Sequence, residues 1–294
     1  MTKWVYRKGE LAKGQFDVVI DQSVSGMQHA FARIAKLGSV DLASDEFERV
    51  VFILEGQGAT VAYSNASGSG EFNLKGRASV FSGMVDHLYL PRHTSAVITG
   101  DARVFIAEAK AKGDSAVQLV SSADVPRFTR GAGSASREIH DFGGPGIMNA
   151  TNLVCVEVLV PSGNWSGIPP HKHDEYRPGV ESNLEEIYYF ETRAAGGIEP
   201  NQPAKHNGYF RGYSSDERNY EVDTLVSSGD VALVPFGYHG PSAAIPNADL
   251  YFTNVMAGPD PVRDWLAVDD PDHVWIREAW KTMPQDPRLP FKFN

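Results

Sequence analysis

Short apolar runs, separated by glycine, proline and polar residues, dominate the hydrophobic pattern of the chain. In the first half the runs include 16–20, 49–54, 88–91 and 103–107. Turn signals recur about every 8–12 residues, a spacing that is typical of a β-sandwich or barrel. Only 28–37 has a short helical alternative. The pattern therefore predicts an all-β protein.

The two halves of the chain resemble each other. In the first half Glu48 precedes the apolar run 50–53, and in the second half Glu185 and Glu186 precede the run 187–190. Self-similarity at half the chain length suggests a duplicated β-barrel. We therefore predict two barrels in one chain.

We place the first barrel at 1–125 and the second at 126–294. The first half has no His-x-His, and its His87 and His93 are not positioned to converge with a carboxylate. We therefore expect the first barrel to be metal-free and structural. The tryptophans of 264–294 predict a segment that docks on the barrel or on a neighbouring subunit.

Composition narrows the class of protein. The chain has 294 residues, of which 42% are hydrophobic and 22% charged, so both halves can bury a core. A net charge of −10 argues against nucleic acid or an anionic membrane as a partner, although it is compatible with an anionic small substrate. Cys155 is the only cysteine, so no intrachain disulfide can form, and its apolar strand predicts a buried side chain. The first residues do not resemble a secretory leader, and no apolar run approaches about 18 residues, which predicts a cytoplasmic protein.

A candidate metal site is the main chemical signal. His171 and His173 form a His-x-His pair, and residues two apart on a strand point to the same side. Glu186 opens a buried aromatic run, where an unpaired carboxylate would be unfavourable, and His239 ends the strand-like run 229–239. Three imidazoles and one carboxylate suit one divalent transition metal ion. Zinc is the first candidate, and manganese, iron and nickel are alternatives.

Arg130 and Arg137 enclose a run of glycine, serine and alanine. The Gly-x-Gly within it does not follow a strand and open a helix, so a dinucleotide fingerprint is not indicated. We expect an ordered crossing or an exposed loop, with an anion-binding nest as the alternative.

Several motifs, most of them in the second half, point to a known family. They are Gly163-Asn164-Trp165-Ser166, Pro169-Pro170-His171-Lys172-His173-Asp174, Leu184-Glu185-Glu186-Ile187-Tyr188-Tyr189, the run Gly229 to His239, Asn254-Val255-Met256-Ala257-Gly258-Pro259, Arg130-Gly131 and Asp270-Pro271-Asp272-His273. Together these motifs resemble the 5-deoxy-glucuronate isomerases of inositol catabolism, which are related to the 5-keto-4-deoxyuronate isomerases of pectin breakdown. The resemblance implies a bicupin, with two double-stranded β-helix (jelly-roll) barrels in one chain.

The resemblance implies the same four metal ligands, with Glu186 as the carboxylate. Glu185 competes with Glu186 for this position. Strand alternation allows only one of them to face inward, and Glu186 brings Tyr188 inward with it.

The reaction that the resemblance implies converts 5-deoxy-D-glucuronate to 5-dehydro-2-deoxy-D-gluconate. Hydrogen moves between C1 and C2 through an enediol or a hydride shift, and a metal can stabilise the developing charge. Glu185, if a bulge turns it inward, and a hydroxide on the metal are the candidate bases. Arg211 is the candidate for the substrate carboxylate, and Tyr188 and Tyr213 are candidate donors to sugar hydroxyls, although strand tyrosines commonly serve only packing. The sequence departs from the family at the acidic positions 216–217, which concern substrate recognition.

Two other functions are compatible with the same residues. One is a metal-dependent dioxygenase, and the other is a non-catalytic sugar-acid binding module, because one fold hosts many activities. An apolar aromatic pocket would favour the oxygenase, whereas an arginine near the metal would favour the isomerase. Barrel edges and the tryptophan-rich tail also predict a homo-oligomer.

Overall fold

The alternating pattern folds almost entirely into β-strands, as predicted. The computed structural model describes residues 3–24, 26–36, 38–197, 205–215 and 218–293. The strands through Val120 are β1 (Val5–Tyr6), β2 (Phe16–Ile20), β3 (Ala30–Lys36), β4 (Ser39–Leu42), β5 (Phe47–Asn65), β6 (Gly68–Lys75), β7 (His87–Leu90), β8 (Ser95–Lys110) and β9 (Gln118–Val120). The helical alternative for 28–37 is therefore wrong.

The second half continues the pattern. Its strands are β10 (Arg127–Arg130), β11 (Arg137–His140), β12 (Val154–Val160), β13 (Trp165–Ser166), β14 (His171–Lys172), β15 (Asp174–Arg177), β16 (Glu181–Asn183), β17 (Glu185–Ala194), β18 (Gly208–Ser215), β19 (Arg218–Val226), β20 (Val231–Val234), β21 (Tyr238–Ala244), β22 (Ala248–Ala257) and β23 (Val268–Asp269). Single 3-10 turns lie at Gly133–Ala135 and Ala195–Gly197, and a short helix, α1, covers Ile276–Trp280. In the described part of the chain, no helix has the length and apolar character needed to cross a membrane.

The strands form three main antiparallel sheets. The first runs in the order β2-β3-β8-β5-β7-β9, with β4 also paired to β8 and β6 to β5. The second runs β1-β20-β17-β22-β12-β11-β10, and the third runs β19-β18-β21-β14-β23, with β13 on β21. The second and third sheets enclose the interior of the second barrel.

The β1 strand belongs to the second barrel although it precedes the first. Val5 pairs with Ala232 of β20, and the ring of Trp4 lies 5.8 Å from Tyr220 and 6.0 Å from Phe236. The division at 125/126 falls between β9 and β10, and it stays a prediction, because β1 crosses it.

The sheet that contains β17 is buried on both faces. Successive residues of a strand face opposite sides, so Ile187 and Tyr189 join the core of the first barrel. Tyr188 and Phe190 face the interior of the second barrel. Cys155 of β12 lies with the first core and is buried, as predicted.

Two glutamates join the barrels reciprocally. The carboxylate of Glu185 accepts hydrogen bonds of 2.7–3.2 Å from the backbone N–H groups of 28–30, just before β3. The carboxylate of Glu48 accepts hydrogen bonds of 2.7–2.8 Å from the backbone N–H groups of 151–153, just before β12. The internal repeat thus appears as two matching carboxylate–amide contacts between the barrels.

A buried ion pair also connects the two barrels. Glu157 of β12 accepts hydrogen bonds from the guanidinium of Arg77 and, at 2.7 Å, from the phenol of Tyr251. Burial opposes ionisation of Glu157, but the charge of Arg77 together with the neighbouring His140 and His87 outweighs it and holds the pKa of Glu157 well below its ordinary value. The pair therefore stays charged between the barrels at neutral pH.

Some sequence expectations concern residues that the structure does not describe. The altered acidic positions Asp216 and Glu217 lie outside the described residues, as do Met1, Thr2 and Asn294. The tail from 264 to 293 does pack on the second barrel, where Arg127 and Asn164 donate hydrogen bonds to Phe291 and Asp286.

Candidate metal centre and substrate cavity

Three histidines converge inside the second barrel. His171 of β14 lies directly opposite His239 of β21, and directly opposed residues of antiparallel strands share a face. His173 follows just after β14. Its ring lies 4.8 Å from that of His239, and the ring of His171 lies 4.5 Å from it. Candidate ligand atoms of all three lie within 4.8 Å of one another.

Glu186 completes the cluster from the opposite sheet. Its Oε2 atom lies 3.0 Å from Nε2 of His173 and 3.0 Å from Nε2 of His239. The other oxygen, Oε1, accepts a hydrogen bond from the side-chain amide of Asn254. The structure therefore brings together the four residues for which the sequence predicted metal ligation.

Backbone carbonyls orient the imidazole rings. Nδ1 of His173 lies 3.0 Å from the carbonyl oxygen of Leu184, and Nδ1 of His239 lies 3.3 Å from that of Gly237. His171 has a similar contact at 3.5 Å. A carbonyl can only accept a hydrogen bond, so each Nδ1 is the donor and each Nε2 presents its lone pair to the cluster.

The charges and unpaired atoms of the cluster fit a divalent cation. Burial and the neighbouring His239 and His173 hold the pKa of His171 well below its ordinary value. Burial opposes ionisation of Glu186, but the charges of His239 and His173 outweigh it and lower the pKa of its carboxyl group. Nε2 of His239 is buried and has no hydrogen-bond partner among the described residues. Three converging imidazoles, an ionised carboxylate and an unpaired inward nitrogen suit a transition metal ion, which would displace any proton from the inward nitrogens.

A second polar cluster holds the ligand segments in place. Lys172 lies between the two histidines and faces away from the imidazoles, and its Nζ lies 2.7 Å from Asp174 and 2.8 Å from Glu181. The carboxylate of Asp174 also accepts a 2.8 Å hydrogen bond from the backbone N–H of Gly237. Asp174 thus connects the His-x-His segment to the turn that precedes His239.

A cavity of about 190 Å³ opens beside His171 and Glu186 in the second barrel. It is smaller than the 300–1,000 Å³ of many ligand pockets, so it suits a small substrate. Its polar lining includes Arg130, Arg137, Tyr188, Ser242, Asn254 and Arg277.

Two arginines face each other in this cavity wall. Arg130 of β10 lies directly opposite Arg137 of β11, and like charges in such a pair are destabilising. Arg277 of α1 adds a third guanidinium, which Asp269 binds at 2.6 Å. Arg137 is buried, and burial together with repulsion from Arg130 and Arg277 lowers its pKa to about 9. An anion bound between Arg130 and Arg137 would relieve this repulsion.

Neutral donors line the wall between the metal ligands and the arginines. Tyr188 pairs across the sheet with Asn254, and its ring lies 6.1 Å from that of His239. Burial and the charge of Glu186 raise the pKa of Tyr188 well above its ordinary value, so the phenol keeps its proton. Ser242 is buried, and its Oγ has no hydrogen-bond partner among the described residues. These groups suit a ligand that carries hydroxyls.

Glu185 does not reach the cavity, which corrects its prediction as a candidate base. Alternation along β17 turns it away from Glu186 toward the first barrel, where it accepts hydrogen bonds from the backbone of 28–30. No bulge interrupts the pairing of β17 with β22 at this point.

Arg211 and Tyr213 also lie outside the cavity. On β18 Phe210 faces the barrel interior, with its ring 4.9 Å from Tyr188, so Arg211 and Tyr213 lie on the outer face. The guanidinium of Arg211 lies 4.6 Å from the centre of the Tyr213 ring, and the Tyr213 phenol donates to Asp270. The structure therefore does not bring Arg211 and Tyr213 to this cavity, whereas Tyr188 does line it.

Sequence reasoning missed Arg130, Arg137 and Arg277 as cavity residues. The first two enclose the small-residue loop, and they become neighbours only because β10 and β11 pair in this register. Arg277 and Trp265 belong to the tail that was predicted only to dock, and both line the cavity. The tail therefore forms part of the candidate site.

The first barrel has a different set of charges at the corresponding place. Arg49 occupies the position in the first barrel that Glu186 occupies in the second, because each directly follows the glutamate that joins the barrels. The guanidinium groups of Arg49 and Arg33 donate to the carboxylate of Glu108 at 2.8 Å and 2.6 Å. A guanidinium has no lone pair for a metal. This gives a physical reason for the expectation that the first barrel is metal-free.

Comparisons with known proteins agree with this architecture. A crystal structure of an IolB-like protein from Salmonella typhimurium LT2 is 30% identical, with a TM-score of 0.81 over 94% of this chain and 99% of that one. An oxalate decarboxylase from Lactobacillus farciminis, solved as a formate complex, has a TM-score of 0.62 at 11% identity over 97% of each chain. The likeness to the decarboxylase concerns the fold alone, and together the two structures confirm the predicted bicupin.

The sequence comparisons identify the family. The 5-deoxy-glucuronate isomerase of Geobacillus thermodenitrificans strain NG80-2 is 40% identical over 179 residues, which are 61% of this chain. The chain spans 60% of the length of this relative. The model of the KduI/IolB family matches residues 4–276. Since the match covers both barrels and every residue of the candidate metal centre, the chain belongs to the KduI/IolB family.

Proposed function

We propose that the chain is a metal-dependent aldose–ketose isomerase that converts 5-deoxy-D-glucuronate to 5-dehydro-2-deoxy-D-gluconate. One observation carries the proposal: a single small cavity has the candidate metal ligands His171 and Glu186 in its wall together with the opposed pair Arg130 and Arg137. A short sugar acid carries a carbonyl group at one end, which suits the metal ligands, and a carboxylate at the other end, which suits the arginines. The similarity to named 5-deoxy-glucuronate isomerases supports the choice of substrate.

The carbonyl end of the substrate is assigned to the metal centre. His171, His173, Glu186 and His239 would hold one divalent ion, for which zinc is proposed because three nitrogens and one oxygen suit it, with manganese, iron and nickel as alternatives. Such an ion supplies Lewis-acid polarisation of the adjacent carbonyl and hydroxyl oxygens.

The carboxylate end is assigned to Arg137 and Arg130, in place of Arg211. A guanidinium presents parallel N–H donors that match the two oxygens of a carboxylate. Arg137 donates to the carbonyl of Ala135 at 3.2 Å, and no described carboxylate pairs with it. Its buried positive charge is therefore available to a substrate anion.

Hydrogen transfer is assigned to a direct shift from C2 to C1. Apart from the four proposed ligands, the ionisable groups among the described cavity residues are the arginines and the protonated phenol of Tyr188, and none of these can accept a proton at neutral pH. A hydroxide on the metal is therefore the base that the shift competes with. The hydrogen moves with its electron pair from C2 to the carbonyl carbon C1, and the proton of the C2 hydroxyl passes to the oxygen on C1. Tyr188 can hold these oxygens in position by hydrogen bonding.

The polar lining favours the isomerase over the dioxygenase alternative. A planar apolar substrate would leave Arg137 and the hydroxyl of Ser242 unpaired in a buried wall, which is unfavourable. The homo-oligomeric state and the cytoplasmic location stay predictions.

Elemental analysis of the purified protein, combined with proton NMR of 5-deoxy-D-glucuronate, tests the proposal. Conversion should require bound metal, and both a chelator and His171→Ala should abolish it. Arg137→Ala should lower kcat/KM by about 100-fold or more, because it removes a buried charge partner. Arg211→Ala is the matched control on the outer face and should change kcat/KM by less than about threefold.

Two outcomes contradict the proposal. Bound metal without turnover of this substrate would overturn the substrate assignment. Equal losses in Arg137→Ala and Arg211→Ala would overturn the assignment of the carboxylate end.

A further inference from the structure

We infer that Trp280, the last residue of α1, is a positioning residue whose indole ring holds the guanidinium groups of Arg137 and Arg277 where they receive the substrate carboxylate. The inference rests on the proposed function, because that function assigns the carboxylate end to Arg137. It adds a tail residue that lies beside the arginines and does not itself line the cavity.

Hydrogen bonds alone do not fix the buried guanidinium of Arg137. Among the described residues it donates one hydrogen bond, from Nη1 to the carbonyl of Ala135 at 3.2 Å. The charges of Arg130 and Arg277 repel it. A guanidinium has five N–H donors, so most of those on Arg137 stay free for an anion. The same freedom means that another contact must keep the group in place.

The ring of Trp280 supplies that contact. Cζ of Arg137 lies 5.8 Å from the centre of the ring, and Cζ of Arg277 lies 5.7 Å from it. A cation within about 6 Å of an aromatic ring is attracted by its face, most strongly for tryptophan and for a cation removed from water. Arg137 is such a cation, because it is buried. One ring therefore attracts two guanidinium groups that repel each other.

The tail is anchored to the barrel on both sides of Trp280. The backbone N–H of Asp270 donates to the carbonyl of Pro170 at 2.8 Å, directly before the first metal ligand. The backbone N–H of Gly133 donates to the carbonyl of Pro284 at 2.8 Å, in the small-residue loop that precedes β11. The two anchors fix the position of α1 relative to both ends of the cavity.

Trp275, directly before α1, provides a matched comparison within the tail. It is 64% exposed, whereas Trp280 is partly buried. In the described part of the chain, the guanidinium groups of Arg137 and Arg277 lie over the ring of Trp280 and not over that of Trp275. No residue of α1 is buried, so neither tryptophan belongs to the core of the barrel. Contact with the arginines is what distinguishes Trp280.

Calorimetry with two inert ligands on the metal-loaded protein tests the inference without turnover. One ligand is the acid made by reducing the aldehyde of 5-deoxy-D-glucuronate to an alcohol, and the other is the carboxamide of that acid. The two ligands have nearly the same shape and differ in charge, so the ratio of their Kd values measures recognition of the carboxylate by the guanidinium groups. The wild type should bind the acid about 100-fold more tightly than the carboxamide.

Trp280→Leu should lower this ratio about tenfold, because Arg137 and Arg277 lose the ring face that holds them. The loss should fall on the acid, and the Kd of the carboxamide should stay near its wild-type value. Trp280→Phe retains a ring face and should restore most of the ratio. Trp275→Leu is the matched control and should bind both ligands as the wild type does.

A wild-type ratio near one, an unchanged ratio in Trp280→Leu, or equal changes in Trp280→Leu and Trp275→Leu would overturn the inference. Equal weakening of the acid and the carboxamide in Trp280→Leu would also overturn it, because that result would mean that the variant had released the tail as a whole. Failure of the proposed function has a separate signature, namely no conversion of 5-deoxy-D-glucuronate by the metal-loaded wild type. The binding ratio is measured in either case.

Discussion

The replacement of Glu185 by glutamine separates a structural role from a catalytic one. Glu185 precedes the proposed ligand Glu186, and a sequence-based argument makes it a candidate base. In the structure its carboxylate accepts hydrogen bonds from the three backbone N–H groups of 28–30, in the other barrel. We therefore expect Glu185→Gln to weaken the contact between the barrels and to leave the chemistry intact.

The expected loss of stability follows from these contacts. In the structure Oε2 of Glu185 accepts from all three N–H groups, so a glutamine oxygen in that position keeps three bonds and loses charge assistance worth about 2 kcal/mol in all. The side-chain NH₂ then takes the place of Oε1 and faces the N–H of Gln28 donor to donor, which costs about 1 kcal/mol more. The free energy of unfolding should fall by about 3 kcal/mol.

Urea unfolding at pH 7, followed by circular dichroism, measures this loss. Glu48→Gln is the companion variant: Glu48 makes the corresponding contacts to 151–153 and also accepts hydrogen bonds from the hydroxyls of Tyr89 and Thr151, so its loss should be at least as large. The kcat of folded, metal-loaded Glu185→Gln should stay within about twofold of wild type. A decrease of about 100-fold or more in kcat at unchanged stability would refute the reasoning and identify Glu185 as a proton-transfer group.

Three further predictions concern the ion pair, the ligand support and the hydrogen transfer. Glu157→Gln should lower the free energy of unfolding at pH 7 by about 3–5 kcal/mol, because Arg77 loses its buried partner. Folding depresses the pKa of Glu157 below its ordinary 4.5, so the wild type loses this stabilisation as the pH falls below that value. Urea unfolding at a series of pH values should therefore show the two free energies of unfolding, of variant and wild type, approaching each other below pH 4.5. Asn254→Ala removes the hydrogen bond to Oε1 of Glu186, and competition with a chelator should show a metal affinity about 10–100-fold lower. Isomerisation in D₂O should give product without solvent deuterium at C1, as seen by NMR, whereas full incorporation would require a base.

The sequence was sufficient to predict which side chains converge at the candidate metal centre, because strand alternation is a local property. His171 and His173 are two apart, and Glu186 can be separated from Glu185 by its agreement with the inward Tyr188. These inferences use only the two-residue alternation of side-chain directions along a strand. In the structure the side chains of His171, His173 and Glu186 converge.

The carboxylate end could not be predicted in the same way. Alternation on β18 predicts that Arg211 and Phe210 face opposite sides of the sheet. It does not indicate which of the two sides faces the interior of the second barrel. The pairing of Arg130 with Arg137 depends on the register of β10 and β11, and that register is a property of the folded hairpin. Arg277 reaches the cavity only through the path of the tail, which no local pattern specifies.

The position of β1 has a consequence for how the protein is made. Arg7, next to β1, binds Asp230 at 2.8 Å although the two residues are 223 positions apart. At 5–20 residues per second, a ribosome needs about 10–50 s to add the second partner after the first. During that time Trp4 and the β1 strand have no sheet to join. The second barrel can close only when a segment synthesised before the first barrel returns to it, so the earliest strand of the chain is among the last to find its partner.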